Sequence, residues 1–132
     1  MILEKIQYSE LNPKAKEMYN FQKVSAKFAD YGFTTMWLNN DWQGADFIAV
    51  HVDGVTDIKV QLKSRLSFNQ KYVGKKIYIC FMAEEKIYLY PHDDVLNKLE
   101  HRISDQTYVT TGSWTSATLT KQNKELLKSY LL

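Results

Sequence analysis

Gly44-Ala45-Asp46-Phe47-Ile48-Ala49-Val50-His51-Val52-Asp53-Gly54, followed by Thr56-Asp57-Ile58-Lys59-Val60-Gln61-Leu62-Lys63, is the stretch on which the fold turns. Asp53-Gly54 is a strong hairpin signal, because both residues tolerate the positive φ that a tight turn between twisted strands demands. On either side lie runs of strand character. In the second run Ile58, Val60 and Leu62 alternate with Asp57, Lys59, Gln61 and Lys63, so one face is apolar and the other polar. The stretch predicts two antiparallel strands, 45–52 and 56–63.

Residues two apart on a strand share a side and sit about 6.5–7 Å apart, so Gln61 and Lys63 project together. A hairpin that sets Asp46 beside Gln61 gathers a carboxylate, an amide oxygen and an ammonium group in a small volume. Oxygen ligands of that kind suit a hard divalent cation, which polarises a phosphate while a lysine orients or deprotonates water. Asp46 alone also suits a turn, through an Asx-type hydrogen bond, and a lone strand lysine is ordinarily a solvated one.

Upstream, Asn12 and Pro13 supply an N-cap and a first helical residue, and Met18, Phe21, Val24, Ser25, Phe28 and Tyr31 recur at helical spacing. A helix over 13–31 follows, stopped by Gly32, then a strand over 33–39 and a polar turn at Asn40-Asp41. Downstream, 76–82 reads as a buried central strand and 86–90 as a short one ended by Pro91. Asp93 or Asp94 then caps a helix through Val95, Leu96 and Leu99 to about His101. Tyr108-Val109 reads as a short edge strand in a looser stretch over 104–118, and Thr120 opens a last helix through Leu126, Leu127 and Tyr130.

The 132 residues, 45% apolar and 24% charged, describe one α/β domain with enough chain to bury a core without staples. Single Cys80, inside an apolar run, forms no intrachain disulfide and reads as a buried hydrophobe in a reducing compartment. No apolar run approaches the roughly 20 residues of a membrane span, and the N-terminus lacks a signal-peptide core, so the expectation is a cytoplasmic protein with no membrane partner. Net charge is only +2, but Lys59, Lys63, Arg65, Lys71, Lys75 and Lys76 fall between 58 and 78 with no acidic residue. Such a segment suits phosphates, as does a solvated loop. Trp114, within Gly112-Ser113-Trp114-Thr115, is the tryptophan best suited to stacking on a base. His51 alternates away from Asp46, His92 and His101 read as helix-end residues, and no spacing suggests zinc or a nucleotide cradle.

Gly44-Ala45-Asp46 through Val50, then Val60-Gln61-Leu62-Lys63-Ser64-Arg65, resembles the D…(D/E/Q)xK signature of the PD-(D/E)xK nuclease superfamily, and with Gln61 it is most similar to the Mrr-type restriction endonucleases. Tyr72-Val73-Gly74-Lys75 and Tyr88-Leu89-Tyr90-Pro91-His92-Asp93 also resemble small uncharacterised prokaryotic proteins of that fold. The resemblance implies a restriction-endonuclease-like core over about 13–101, a central mixed β-sheet flanked by helices, with a C-terminal extension over about 104–132. It implies Asp46, Gln61 and the Leu62 backbone carbonyl as ligands of Mg²⁺ or Mn²⁺, and Lys63 as the catalytic lysine. By spacing from the glycine that ends the helix it implies Gln22 as the helix contribution, with Glu17, nearer the middle of the apolar face, as its rival. Arg65, Lys71, Lys75, Lys76 and Trp114 would hold nucleic acid, DNA more than RNA, and a homodimer would serve to cut both strands. The glutamine in place of an acid also leaves open a non-catalytic module that binds nucleic acid or a protein on the same fold.

Overall fold

The computed structural model describes residues 1–103, 106–116 and 118–132, and the side chains of these apart from 100–107. After a 3₁₀ turn at Tyr8–Glu10, α1 runs Pro13–Asp30. The Asn12 side chain accepts the Ala15 N–H at 2.8 Å, a cap that stabilises a helix by about 1 kcal/mol. Strands β1 (Phe33–Trp42), β2 (Ala45–His51) and β3 (Asp57–Lys63) form an antiparallel meander. β1 outruns the expected 33–39: the turn falls at Gln43 and Gly44, both at positive φ, so Asn40 and Asp41 stay in the strand. Asp53 organises the next turn by accepting the N–H groups of Val55 and Thr56 and the Thr56 hydroxyl.

The chain then crosses over through β4 (Ser67–Asn69) and a 3₁₀ turn (Gln70–Tyr72) to β5 (Ile77–Ala83), which lies parallel to β3. β6 (Lys86–Pro91) returns antiparallel, completing a mixed sheet in the order β1-β2-β3-β5-β6. α2 (His92–Ile103) and α3 (Gln106–Thr111) follow, then β7 (Ser113–Thr115) and α4 (Lys121–Leu127). Tyr108 and Val109 therefore lie in a helix, not an edge strand. The strand forms two residues past that helix, where Gly112 at φ +73 ends it and Trp114 finds Phe68 as its cross-strand partner. The His101 side chain and Ser104 fall outside the described residues.

The sheet is covered on both faces. Val24 and Phe28 of α1 pack on Phe47, Ala49, Val60 and Cys80. Ile79, Phe81, Tyr88 and Tyr90 pack on the other face against Val95 and Leu99 of α2, Phe68 of β4 and Leu127 of α4. Each Val, Leu, Ile or Phe among them contributes about 1.5–3 kcal/mol by leaving water. The C-terminal stretch belongs to this core: Leu131 bridges to Tyr88 and Leu132 N–H donates to the Ile87 carbonyl, covering the edge of β6. No described helix is long and apolar enough to cross a membrane.

Candidate active site

The β2–β3 ladder ends at the Phe47–Val60 pair. One step beyond, a side chain replaces the backbone: the Asp46 carboxylate accepts the N–H of Leu62 at 2.8 Å. A strand residue's N–H and C=O face the same edge, so the Leu62 carbonyl also turns towards Asp46. Continuing the register sets Gln61 opposite Asp46. The strands thus part where a carboxylate, an amide and a backbone carbonyl meet.

Into this gap faces the first half of α1. A cleft of about 470 Å³ is lined by Lys16, Glu17 and Asn20 on one side and by Asp46, Gln61, Leu62 and Lys63 on the other. Burial raises the Asp46 carboxyl above its ordinary value; the Leu62 hydrogen bond opposes the shift, Glu17 adds to it, Lys63 opposes it and Asp41 adds to it. Lys63 is pushed down by burial and then by Lys71, with Asp46 opposing. Among the described residues Asp46 and Lys63 form no ion pair within 4 Å, although each feels the other's charge.

Tyr72 joins the two halves of the site. Its ring lies 5.6 Å from the Lys63 ammonium and 5.1 Å from that of Lys71, cation–π distances that hold both lysines in place. A Cβ on Gly44 would lie 3.0 Å from the same ring, so the turn leading into Asp46 is seated on it. Burial, then Asp46 and Asp41, push the Tyr72 hydroxyl up to about 12, which keeps it protonated and able to donate.

The structure thus brings Asp46, Gln61, Leu62 and Lys63 to one cleft, and of the two helix candidates Glu17 joins them there. Gln22 is exposed and does not line the cleft; Glu17 does. Glu17, Phe21, Val24 and Phe28 fall at i, i+4, i+7 and i+11, one stripe of the helix, so Glu17 continues the sheet-facing stripe to the point where the strands part. Arg65 lines a smaller pocket next to Lys63, and Lys71 reaches the site through Tyr72. Lys76 lines a separate cleft of about 780 Å³ with Lys59, Asp57, Asp93 and Asp94. That cleft lies about four residues back along β3, roughly 13 Å from Lys63 at the rise of a strand. Lys75 is exposed on the turn before β5, and neither it nor Lys76 lines the pocket that Arg65 and Lys63 share.

Trp114 is not the exposed aromatic the sequence suggests: it is half-buried, 5.9 Å from the Phe68 ring and packed on the core, because alternation in β7 turns it inward. His51 packs on Phe33 and accepts the Asp53 N–H, away from Asp46. His92 is fully buried, accepts the Asn69 N–H at 3.1 Å through Nε2 and meets Asp93 at 2.8 Å through Nδ1. Asp93 also accepts the Gly74 N–H rather than capping α2. Together they tie the Asn69–Gly74 loop, which carries Lys71 and Tyr72, to the start of the helix. Lys16, Tyr72 and the polar face of β4 and β7 are site neighbours that sequence reasoning missed. The helical wheel turns Lys16 about 100° away from Glu17 and off the apolar stripe, so nothing local signals it; the others depend on pairing between distant segments. Among the described residues no three His, Cys, Asp or Glu side chains cluster as a ready-made metal centre.

No protein-family description matches the sequence, and no curated protein matches it. Among solved structures, the chain is similar to a bacterial homing endonuclease, with a TM-score of 0.50 and 15% identity over 91% of this chain and 86% of that one. It is also similar to a Holliday junction resolvase from the archaeal hyperthermophile Archaeoglobus fulgidus, with a TM-score of 0.47 and 12% identity over 59% of this chain and 74% of that one. At such identities likeness speaks for fold alone. With the five-stranded mixed sheet, flanking helices and C-terminal helix, the chain has the restriction-endonuclease-like fold.

Proposed function

We propose that the protein is a metal-dependent nuclease that hydrolyses phosphodiester bonds of DNA, with an Mrr-like D…QxK site. The observation that carries this reading is the cleft where Asp46, Gln61, Leu62 and Lys63 meet Glu17 on a nuclease fold. The donor set is chemically suited to Mg²⁺ or Mn²⁺. Asp46, Glu17, the Gln61 amide and the Leu62 carbonyl are all hard oxygen donors, and the mutual repulsion of Glu17 and Asp46 is what a bound cation relieves. A divalent cation held there supplies charge neutralisation at the phosphate and acidifies a water. Lys63, its proton loosened by burial and by Lys71, holds or takes a proton from the attacking water, the role a lowered lysine pKa equips it for. Lys71 and Arg65 hold phosphate oxygens at the rim. One such site per chain calls for two copies to cut both strands of a duplex, hence a homodimer on DNA.

Incubation with supercoiled plasmid and with single-stranded oligonucleotides in Mg²⁺ or Mn²⁺ tests the reading. Wild-type protein cleaves, and Asp46→Ala and Lys63→Ala do not. Cleavage by both variants at the wild-type rate, or none by wild type, refutes it. Gln61, which brings no charge where a second acid would strengthen metal binding, favours one other reading, a nucleic-acid-binding module without catalysis. Salt-dependent binding that needs no metal, with no cleavage, is its signature.

A further inference from the structure

The ribbon formed by β4 and β7 has two unlike faces. Ser67 pairs with Thr115, Phe68 with Trp114 and Asn69 with Ser113. Alternation turns Phe68 and Trp114 into the core and leaves Ser67, Asn69, Ser113 and Thr115 lining a pocket of about 230 Å³ whose opposite wall is Lys63, Ser64 and Arg65. Lys63 is common to this pocket and to the Asp46 cleft. Two cations, several hydroxyls, an amide and the aromatic residues Phe68 and Tyr72 line the space, and no carboxylate does among the described residues.

Its frame is held from below by buried groups. The Tyr90 hydroxyl donates to the Ser67 carbonyl at 2.6 Å and lies 3.3 Å from the Ser67 N–H, and His92 accepts the N–H of Asn69. With the ribbon backbone so satisfied, the Ser67 Oγ remains buried without a hydrogen-bond partner among the described residues. Folded proteins rarely leave a buried hydroxyl unpaired, and such a group is completed by a water, an ion or a ligand. A donor hydroxyl on a residue lining a pocket that two cations also line, with no carboxylate in that lining, is matched by an oxyanion.

We propose that this pocket is a second phosphate subsite, which takes the phosphate group next along the nucleic-acid strand from the one held in the Asp46–Lys63 cleft. This rests on the nuclease reading for the identity of the strand, while the preference for phosphate rests on the pocket alone. Lys63 stands between two contiguous groups of one chain, Arg65 supplies the second charge, and the ribbon hydroxyls supply neutral donors.

The test is titration of the protein with inorganic phosphate in EDTA, against chloride at matched ionic strength, followed by amide NMR shifts. Saturable shifts at Ser67, Asn69, Ser113 and Thr115 are expected with phosphate and not with chloride. Ser67→Ala removes an unpartnered hydroxyl, so it keeps or raises the melting temperature while weakening phosphate binding about tenfold, the scale of one hydrogen bond to a charged group. With a single-stranded oligonucleotide, Arg65→Gln lowers the slope of log affinity against log salt by about 0.7, whereas Ser67→Ala lowers affinity at constant slope. Shifts confined to other amides, shifts equal with chloride, or unchanged binding by Ser67→Ala overturn the subsite. Because no divalent cation is present, phosphate binding here without plasmid cleavage would sink the nuclease reading and spare the pocket; cleavage without phosphate binding would do the reverse.

Discussion

Gly44→Ala probes the link between turn and site most directly. Gly44 has φ +86, and an added Cβ would stand 3.0 Å from Cδ1 and 3.1 Å from Cε1 of Tyr72. The left-handed backbone costs a side-chain-bearing residue roughly 1–2 kcal/mol. Tyr72, only 2% exposed, must also be displaced within a packed core, a further loss of about 1–3 kcal/mol. At roughly 4 °C per kcal/mol for a domain of this length, the melting temperature falls by about 8–20 °C. Gly54→Ala is the matched control: it shares positive φ (+72) but its Cβ meets nothing within 4 Å, so only the backbone strain remains and the fall is about 4–8 °C. The same ring holds Lys63, so under the proposed nuclease function Gly44→Ala also reduces plasmid cleavage at a temperature where it is fully folded, and Gly54→Ala does not. Thermal denaturation by circular dichroism reads the first effect and a cleavage time course the second. If Gly44→Ala melts no lower than Gly54→Ala, the seating of the turn on Tyr72 is wrong.

Three other outcomes follow from the burial of single titratable groups. Because folding raises the Asp46 pKa, the native state holds its proton more tightly, so this group's contribution is complete below about pH 3.8 and lost as pH rises through the native value; Asp46→Asn, whose amide oxygen can still accept the Leu62 N–H, is more stable than wild type to urea at pH 7 without metal. His92 behaves oppositely. Burial lowers its pKa from 6.5, opposed by Asp93, so its contribution is present above about pH 6.5 and lost as pH falls through the native value, and in His92→Gln the urea midpoint no longer declines through that window. Burial pushes the Cys80 thiol up to about 12, so a thiol reagent at pH 8 labels the native protein only as fast as it unfolds, and rapid native labelling would contradict the burial.

Local patterns carried much of this chain. Asn12-Pro13 and the 3.6-residue stripe of α1, the Asp53-Gly54 turn, the alternation of β3 and the apolar run of β5 each express a preference that neighbouring residues settle among themselves. Where the outcome depended on partners far away, the patterns misled. Tyr108 and Val109 have strand propensity but fold as helix, and Trp114 looks like an exposed stacking residue until Phe68 pairs with it across 46 positions. Gln22 had the right distance from Gly32, but the face of the helix decides what meets the sheet, and Glu17 has that face.

What the sequence determined by itself is the main elements, α1, β1 to β3, β5, β6, α2 and α4, and which side of each strand carries the polar residues: Asp46, Gln61 and Lys63 had to share a volume once 45–52 and 56–63 paired as a hairpin. Tertiary structure alone decided what surrounds them. Only the parallel placement of β5 beside β3, with its crossover through Tyr72, and the docking of α1 on the opposite face brought a tyrosine ring, a second lysine and Glu17 to the same three residues. The reason is that backbone geometry repeats over two or four residues and is therefore written locally, whereas burial, and the pKa shifts it causes, arise from segments that meet only after the chain has closed its core.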